Sequence, residues 1–167
     1  MISIIKKSVG IFSIIIFFIG CKTIPCRNTF LTPAFIGFSP SDIDTIIIRQ
    51  YKKNDNFFHL LDTTLITNNP HIAYYSTSHD TTIIVLNVIS GEEKYIFPDN
   101  DWQVYIPAKN KTVSISTINS PQTSYKCFGD NCGCTNPIDS FIQDGVTTIP
   151  QSKDVPYFGT TYLLYIN

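Results

Sequence analysis

The stretch Thr112–Ile118, TVSISTI, settles the fold class. Val113 and Ile115 fall on one side of an extended chain and Ser114 and Ser116 on the other. This two-residue period belongs to a strand with one face buried and one solvated. Just upstream, WQVYIPA repeats the pattern, with Trp102, Val104 and Ile106 on one face and Gln103 and Tyr105 on the other. Further strand signals lie on both sides, separated by turn residues. Asp44–Lys52 (DTIIIRQYK) ends at KNDN, Phe57–Ile66 (FFHLLDTTLI) ends at TNNP, and His71–Ser78 (HIAYYSTS) leads to Thr81–Ile89 (TTIIVLNVI). That last run is apolar on both faces and reads as a central strand. After it come KYIF, Gln122–Cys127 (QTSYKC), Ser140–Ile149 (SFIQDGVTTI) and the closing TTYLLYIN.

Asp144-Gly145 sits between two β-type runs and predicts a tight hairpin. The competing reading of that region is a short helix capped by Asn136-Pro137 and Gly145. No segment keeps a helical period over three turns. Twelve Phe, nine Tyr and a single Met agree with strands over helices. The expectation is all-β: a single antiparallel sandwich, immunoglobulin-like or related, over residues 34–167.

The 167 residues carry a net charge of −1, with 43% apolar and 15% charged residues. That composition suits one globular domain and excludes a disordered acidic or basic tail. No basic block is present, so nucleic acid is not an expected partner.

The N-terminus, MISIIKKSVGIFSIIIFFIGC, reads as a signal peptide over residues 1–20. Lys6 and Lys7 form its positive region, and Val9–Ile19 is an uncharged run of 11 residues, short of the roughly 20 that span a bilayer. Phe18-Ile19-Gly20-Cys21 resembles the lipobox of bacterial lipoproteins, and the chain is similar to small envelope lipoproteins of Bacteroidota-type bacteria. The resemblance implies cleavage after Gly20, a diacylglyceryl group on the Cys21 sulfur and membrane attachment through acyl chains. Removal of residues 1–20 takes both lysines and leaves ten basic against thirteen acidic residues, a net −3. In that family an acidic cluster after the lipidated cysteine accompanies export to the surface. Here Lys-Thr-Ile-Pro follows and the first acid is Asp42, so the periplasmic face of the outer membrane is expected. Residues 21–33 read as the lipidated end and a short tether, about 40 Å when extended over its 12 residues Lys22–Pro33.

Four cysteines remain: Cys26, Cys127, Cys132 and Cys134. An even number in an oxidising compartment points to two disulfides. A Cys132–Cys134 bond would close a strained ring across one residue. That leaves Cys127 bonded to Cys132 or to Cys134, with Cys26 taking the other. The metal reading sets three thiolates beside Cys26 or His79 as a tetrahedral zinc site, but the spacing is not the usual paired one. No metal and no cofactor is expected.

Signals of activity are sparse. His59, His71 and His79 sit in separate elements. Ser78-His79-Asp80 has triad residue types, but adjacent residues cannot adopt triad geometry. The turn Pro98–Trp102 (PDNDW) offers carboxylates to Ca²⁺ without the distal acid of an EF-hand. Tyr51, Phe57, Phe58, Tyr74, Tyr75, Trp102 and Tyr105 would fill a core or line a sugar- or peptide-binding face. Asp-Thr-aliphatic or Asp-Thr-Thr runs at Thr45, Thr63 and Thr81 resemble O-glycosylation sites of Bacteroidota envelope proteins. The expected role is non-enzymatic, bracing or binding an envelope protein. The alternatives are a glycan- or peptide-binding module and a hydrolase with an unrecognised site.

Overall fold

A computed structural model describes residues 22–67, 73–78, 81–85, 96–127, 133–155 and 159–167. Among the described residues thirteen strands run in chain order: β1 (Lys22–Pro25), β2 (Leu31–Ile36), β3 (Thr45–Lys52), β4 (Leu60–Thr67), β5 (Ala73–Ser78), β6 (Thr81–Val85), β7 (Asn100–Ile106), β8 (Lys111–Asn119), β9 (Ser124–Cys127), β10 (Ser140–Gln143), β11 (Val146–Thr148), β12 (Gln151–Val155) and β13 (Gly159–Ile166). Two three-residue 3-10 turns, Pro40–Asp42 and Pro107–Lys109, are the only helical elements among the described residues. The all-β expectation is met.

The chain divides into two compact units. The smaller joins the N-terminal segment up to Arg27 with Gln122–Thr135. In it β1 and β9 pair antiparallel as a two-stranded ribbon, with Lys22 opposite Cys127 and Ile24 opposite Tyr125. The larger unit, Asn28–Pro121 with Asn136–Asn167, is the sandwich. One sheet has six strands in the order β11-β10-β8-β7-β3-β4 and the other five in the order β12-β13-β2-β6-β5. All pairings in these sheets are antiparallel except β13 with β2.

The core follows the alternation seen in the sequence. Ile46 and Ile48 of β3, Trp102, Val104 and Ile106 of β7, and Val113 and Ile115 of β8 are all buried, and they meet Leu31, Phe35, Leu164 and Ile166 of the five-stranded sheet. Gln143 Nε2 donates to the Tyr165 carbonyl at 2.8 Å, which links the two sheets beside this core. The Asp144-Gly145 hairpin forms, with φ of 49° and 84°, and excludes the helical alternative. Asp144 Oδ1 accepts the Ser114 amide at 2.7 Å and ties the turn to β8.

Three details differ from the sequence reading. Thr81–Val85 does form a strand, but its place is second from the edge of its sheet, and residues 86–89 lie outside the described set. The middle strand of that sheet is β2, which the sequence reading assigned in part to the tether. Leu31 through Phe35 are all buried. Pro33 argues against such a place because it lacks an N–H for the ladder. Here it fits because β6 pairs with β2 only from Ala34 onward, while Leu31 N–H donates to the Ile96 carbonyl at 3.0 Å. Pro33 falls in the gap between. Lys22–Pro25, also read as tether, is strand β1.

Candidate functional site

The most unusual surface of the sandwich is the β3–β4 hairpin. β3 is strongly β-branched and pairs on one side with β7 and on the other with β4, from Thr45 opposite Thr67 to Tyr51 opposite Leu60. The register shifts after Gln50, leaving Leu61 as the extra residue of a bulge. Between the strands the backbone turns through Asn54, Asn56 and Phe57, all with positive φ (59°, 53° and 64°). Asn adopts this conformation readily, whereas an aromatic residue there carries strain of order 1–3 kcal/mol.

Three contacts hold the strained turn. Asp101, 1% exposed, accepts the Asn54 amide through Oδ2 at 2.8 Å. Lys53 Nζ donates to the Pro98 carbonyl at 2.8 Å. The Phe57 ring meets Tyr51 edge-on, with centroids 5.4 Å apart. Asp55 caps the turn from inside, accepting the Phe58 amide at 2.8 Å and the His59 amide at 3.2 Å through Oδ1, while Oδ2 pairs with His59 Nδ1. Partial desolvation raises the Asp55 carboxyl, and the hydrogen bonds from His59 and the two amides outweigh it and hold it below the ordinary carboxylate value.

The consequence is an apolar surface. Phe58 is 81% exposed, Leu60 53%, Leu61 55% and Leu65 61%. β4 is the last strand of its sheet, so its outer edge is free of any described strand. By register Leu65 lies beside Ile47, and Thr63 beside Arg49, on the face turned away from the core. Behind them the Arg49 guanidinium lies 5.5 Å over the Tyr105 ring, and Tyr51 Oη donates to Gln103 Oε1 at 3.0 Å. This is a rigid, mixed apolar and polar platform with an open edge.

The candidate aromatics divide. Trp102 is core, with Nε1 donating to the Phe97 carbonyl at 2.9 Å. Tyr51 is buried, Phe57 and Tyr105 are half-buried, and Phe58 projects. The side chains of Tyr74 and Tyr75 lie outside the described set. Asp99 and Asp101 of the PDNDW turn face amides rather than each other, since Asp99 Oδ2 accepts from Asn28 Nδ2 at 3.4 Å. His71, His79 and Asp80 fall outside the described residues. Among the described residues no three His, Cys, Asp or Glu side chains gather as a metal site.

Cys26 and Cys134 form a disulfide, with Cα atoms 4.8 Å apart and 108 positions between them in sequence. This is one of the two pairings left open by spacing. Cys127 stands in β9, while Cys132 and Cys21 lie outside the described residues. Thr45 opens β3 and is half-buried, Thr63 is exposed in the middle of β4, and Thr81 opens β6. The sequence reading missed the exposed edge. Its signal was present in FFHLL, where apolar residues occupy both parities of a strand, so at least one must face water. Comparison with protein-family models, curated proteins and solved structures finds no match to this chain.

Proposed function

We propose that the protein is a lipid-anchored cell-envelope protein, held by acylated Cys21 at the periplasmic face of the outer membrane, that acts by binding rather than catalysis. Its partner is another envelope protein, which lays an extended segment along the free edge of β4. The observation that carries this reading is the exposure of Leu60, Leu61 and Leu65 on the edge strand β4, with Phe58 exposed in the turn that leads into it. Soluble domains protect such edges with lysine, proline or a covering loop. β4 has neither lysine nor proline, and its only charged residue is Asp62. An edge of this kind adds a strand through main-chain hydrogen bonds, and alternate apolar side chains give specificity. Apolar exposure of this sort marks contact sites.

The glycan-binding alternative draws on Arg49, Gln103 and Tyr105 of the same platform. It ranks second because Trp102 and Tyr51, its best stacking residues, are buried.

The test is a photo-crosslinking residue at position 61 or 65 of the full chain in its native envelope, with position 153 as control. Adducts to one protein at 61 and 65, and none at 153, support the reading. Equal labelling at all three positions overturns it. Phe58→Ser with Leu65→Thr should abolish the adduct formed from position 61 while leaving the unfolding midpoint unchanged.

A further inference from the structure

We infer that β4 pairs antiparallel with β4 of a second copy of this chain, a symmetric dimer that covers the edge until the partner segment displaces it. The inference rests on the reading of β4 as a binding edge. Lys52 N–H donates to the His59 carbonyl at 3.0 Å, so Lys52 turns its main-chain groups towards β4. Alternation along β3 gives Gln50, Ile48 and Ile46 the same direction. Their register partners Asp62, Thr64 and Ile66 point back at β3. Thr63 and Leu65 therefore present N–H and C=O to the open side, where β4 has no described strand beside it.

A two-fold axis between antiparallel strands sets one residue opposite its own copy. Asp62 opposite itself would bring two carboxylates together, which is destabilising. Thr64 opposite itself would set Leu65 against Thr63. Leu61 or Leu65 opposite itself would leave the other leucine past the end of the facing strand, since β4 spans only Leu60–Thr67. Thr63 opposite itself has none of these faults. Leu61 then faces Leu65 of the second copy, Leu65 faces its Leu61, and Asp62 faces its Thr64. Both leucines and Thr63 are exposed in the single chain, and apolar and Thr–Thr pairs are favourable cross-strand neighbours.

Charge agrees with this contact. The hairpin Thr45–Thr67 carries Arg49, Lys52 and Lys53 against Asp55 and Asp62, a net +1. The larger unit as a whole has seven basic and twelve acidic residues, a net −5, so copies meeting at β4 meet away from the excess acid. The opposite edge of the sheet, β11, has three residues against eight in β4. A head-to-tail β4–β11 contact would match less than half of β4 and leave an open chain of copies. Leu60–Ile66 overlap in the symmetric dimer, well short of the roughly 20–30 residues a side of a standard interface. The contact is therefore reversible and yields to a partner.

The test uses the full chain in detergent. Thr63→Cys, Leu61→Cys and Leu65→Cys are oxidised separately, the last two also as a mixture, and links are mapped by mass. Directly opposed residues have Cα atoms about 5.5 Å apart in a hydrogen-bonded pair, inside the roughly 4.4–6.8 Å of a disulfide. Positions four residues out of register are about 13 Å apart. The expected links are 63 to 63, and 61 to 65 in the mixture, with neither 61 to 61 nor 65 to 65. Thr63→Lys sets like charges opposite and should raise the dimer dissociation constant about tenfold or more, while Thr63→Val should not. In the envelope, oxidation of Thr63→Cys should abolish the partner adduct from position 65, and reductant should restore it. An adduct that survives oxidation overturns the displacement. Absence of the 63 to 63 link, or equal 61 to 61 and 65 to 65 links, overturns the dimer. Adducts to another protein then still uphold the binding edge. The 63 to 63 link without any adduct to another protein supports the dimer and overturns the partner reading.

Discussion

Asp101 in β7 accepts the backbone amide of Asn54 at 2.8 Å across 47 positions of sequence, and its other oxygen faces the amide of Thr117 at 3.4 Å. Both amides belong to residues with positive φ. One carboxylate thus holds the β3–β4 turn and the point in β8 where its register with β10 shifts, between Ser116 and Asn119, two places where the backbone departs from ordinary strand geometry.

Asp101→Ala should therefore lower stability by about 1 kcal/mol, since it takes the acceptor from two part-buried amides. Urea unfolding followed by the fluorescence of Trp102, the sole tryptophan, measures the loss. Amide exchange at Asn54 and Thr117 should rise well above that of β7. Unchanged exchange at both would remove Asp101 from its anchoring role.

Phe35 is fully buried in β2, in a segment adjoining the one whose sequence reads as tether. Phe35→Ala should cost about 3–5 kcal/mol, the usual range for an aromatic side chain lost from a core. A change below 0.5 kcal/mol, the scale of an exposed substitution, would show that β2 is not part of the sandwich.

The Cys26–Cys134 bond closes a loop spanning 108 positions. A cross-link of that length is worth about 4–5 kcal/mol by the chain-entropy argument. A digest without reductant should yield the Cys26–Cys134 linked peptide. Cys26→Ser/Cys134→Ser should open the ribbon to protease at β1 and β9 before the sandwich is cut. Recovery of Cys26 linked to Cys132 would refute the pairing.

Asp42 joins the two 3-10 turns. Its Oδ1 meets Lys109 Nζ at 2.9 Å and its Oδ2 accepts the Ser39 amide at 2.9 Å. The Lys109 bond, then those from Ser39, hold its carboxyl below the ordinary 3.8. A carboxyl lowered by folding stabilises the fold above its unfolded value, and that contribution drains away as pH falls through the folded value. Asp42→Asn should lower the melting temperature at neutral pH, and the gap to wild type should close as pH drops below 3.8. A gap that widens on acidification would contradict the sign.

The sequence by itself determined the all-β class, the inward faces of β7 and β8, and the Asp144-Gly145 hairpin. Each is local: side chains alternate with a period of two, and an Asp-Gly turn needs only its own positive φ. It also narrowed the disulfides to two pairings by ring strain. The tertiary structure decided what depends on distant neighbours. Pro33 reads as a break until β6 is seen to start one residue later. Asp101 reads as a turn residue until Asn54, 47 positions away, arrives beside it. Leu60, Leu61 and Leu65 read only as part of a strand until β4 becomes the end of its sheet. Whether an apolar strand is buried depends on what lies beside it, and strand order is set by pairing between segments far apart in the chain rather than by the pattern within any one of them.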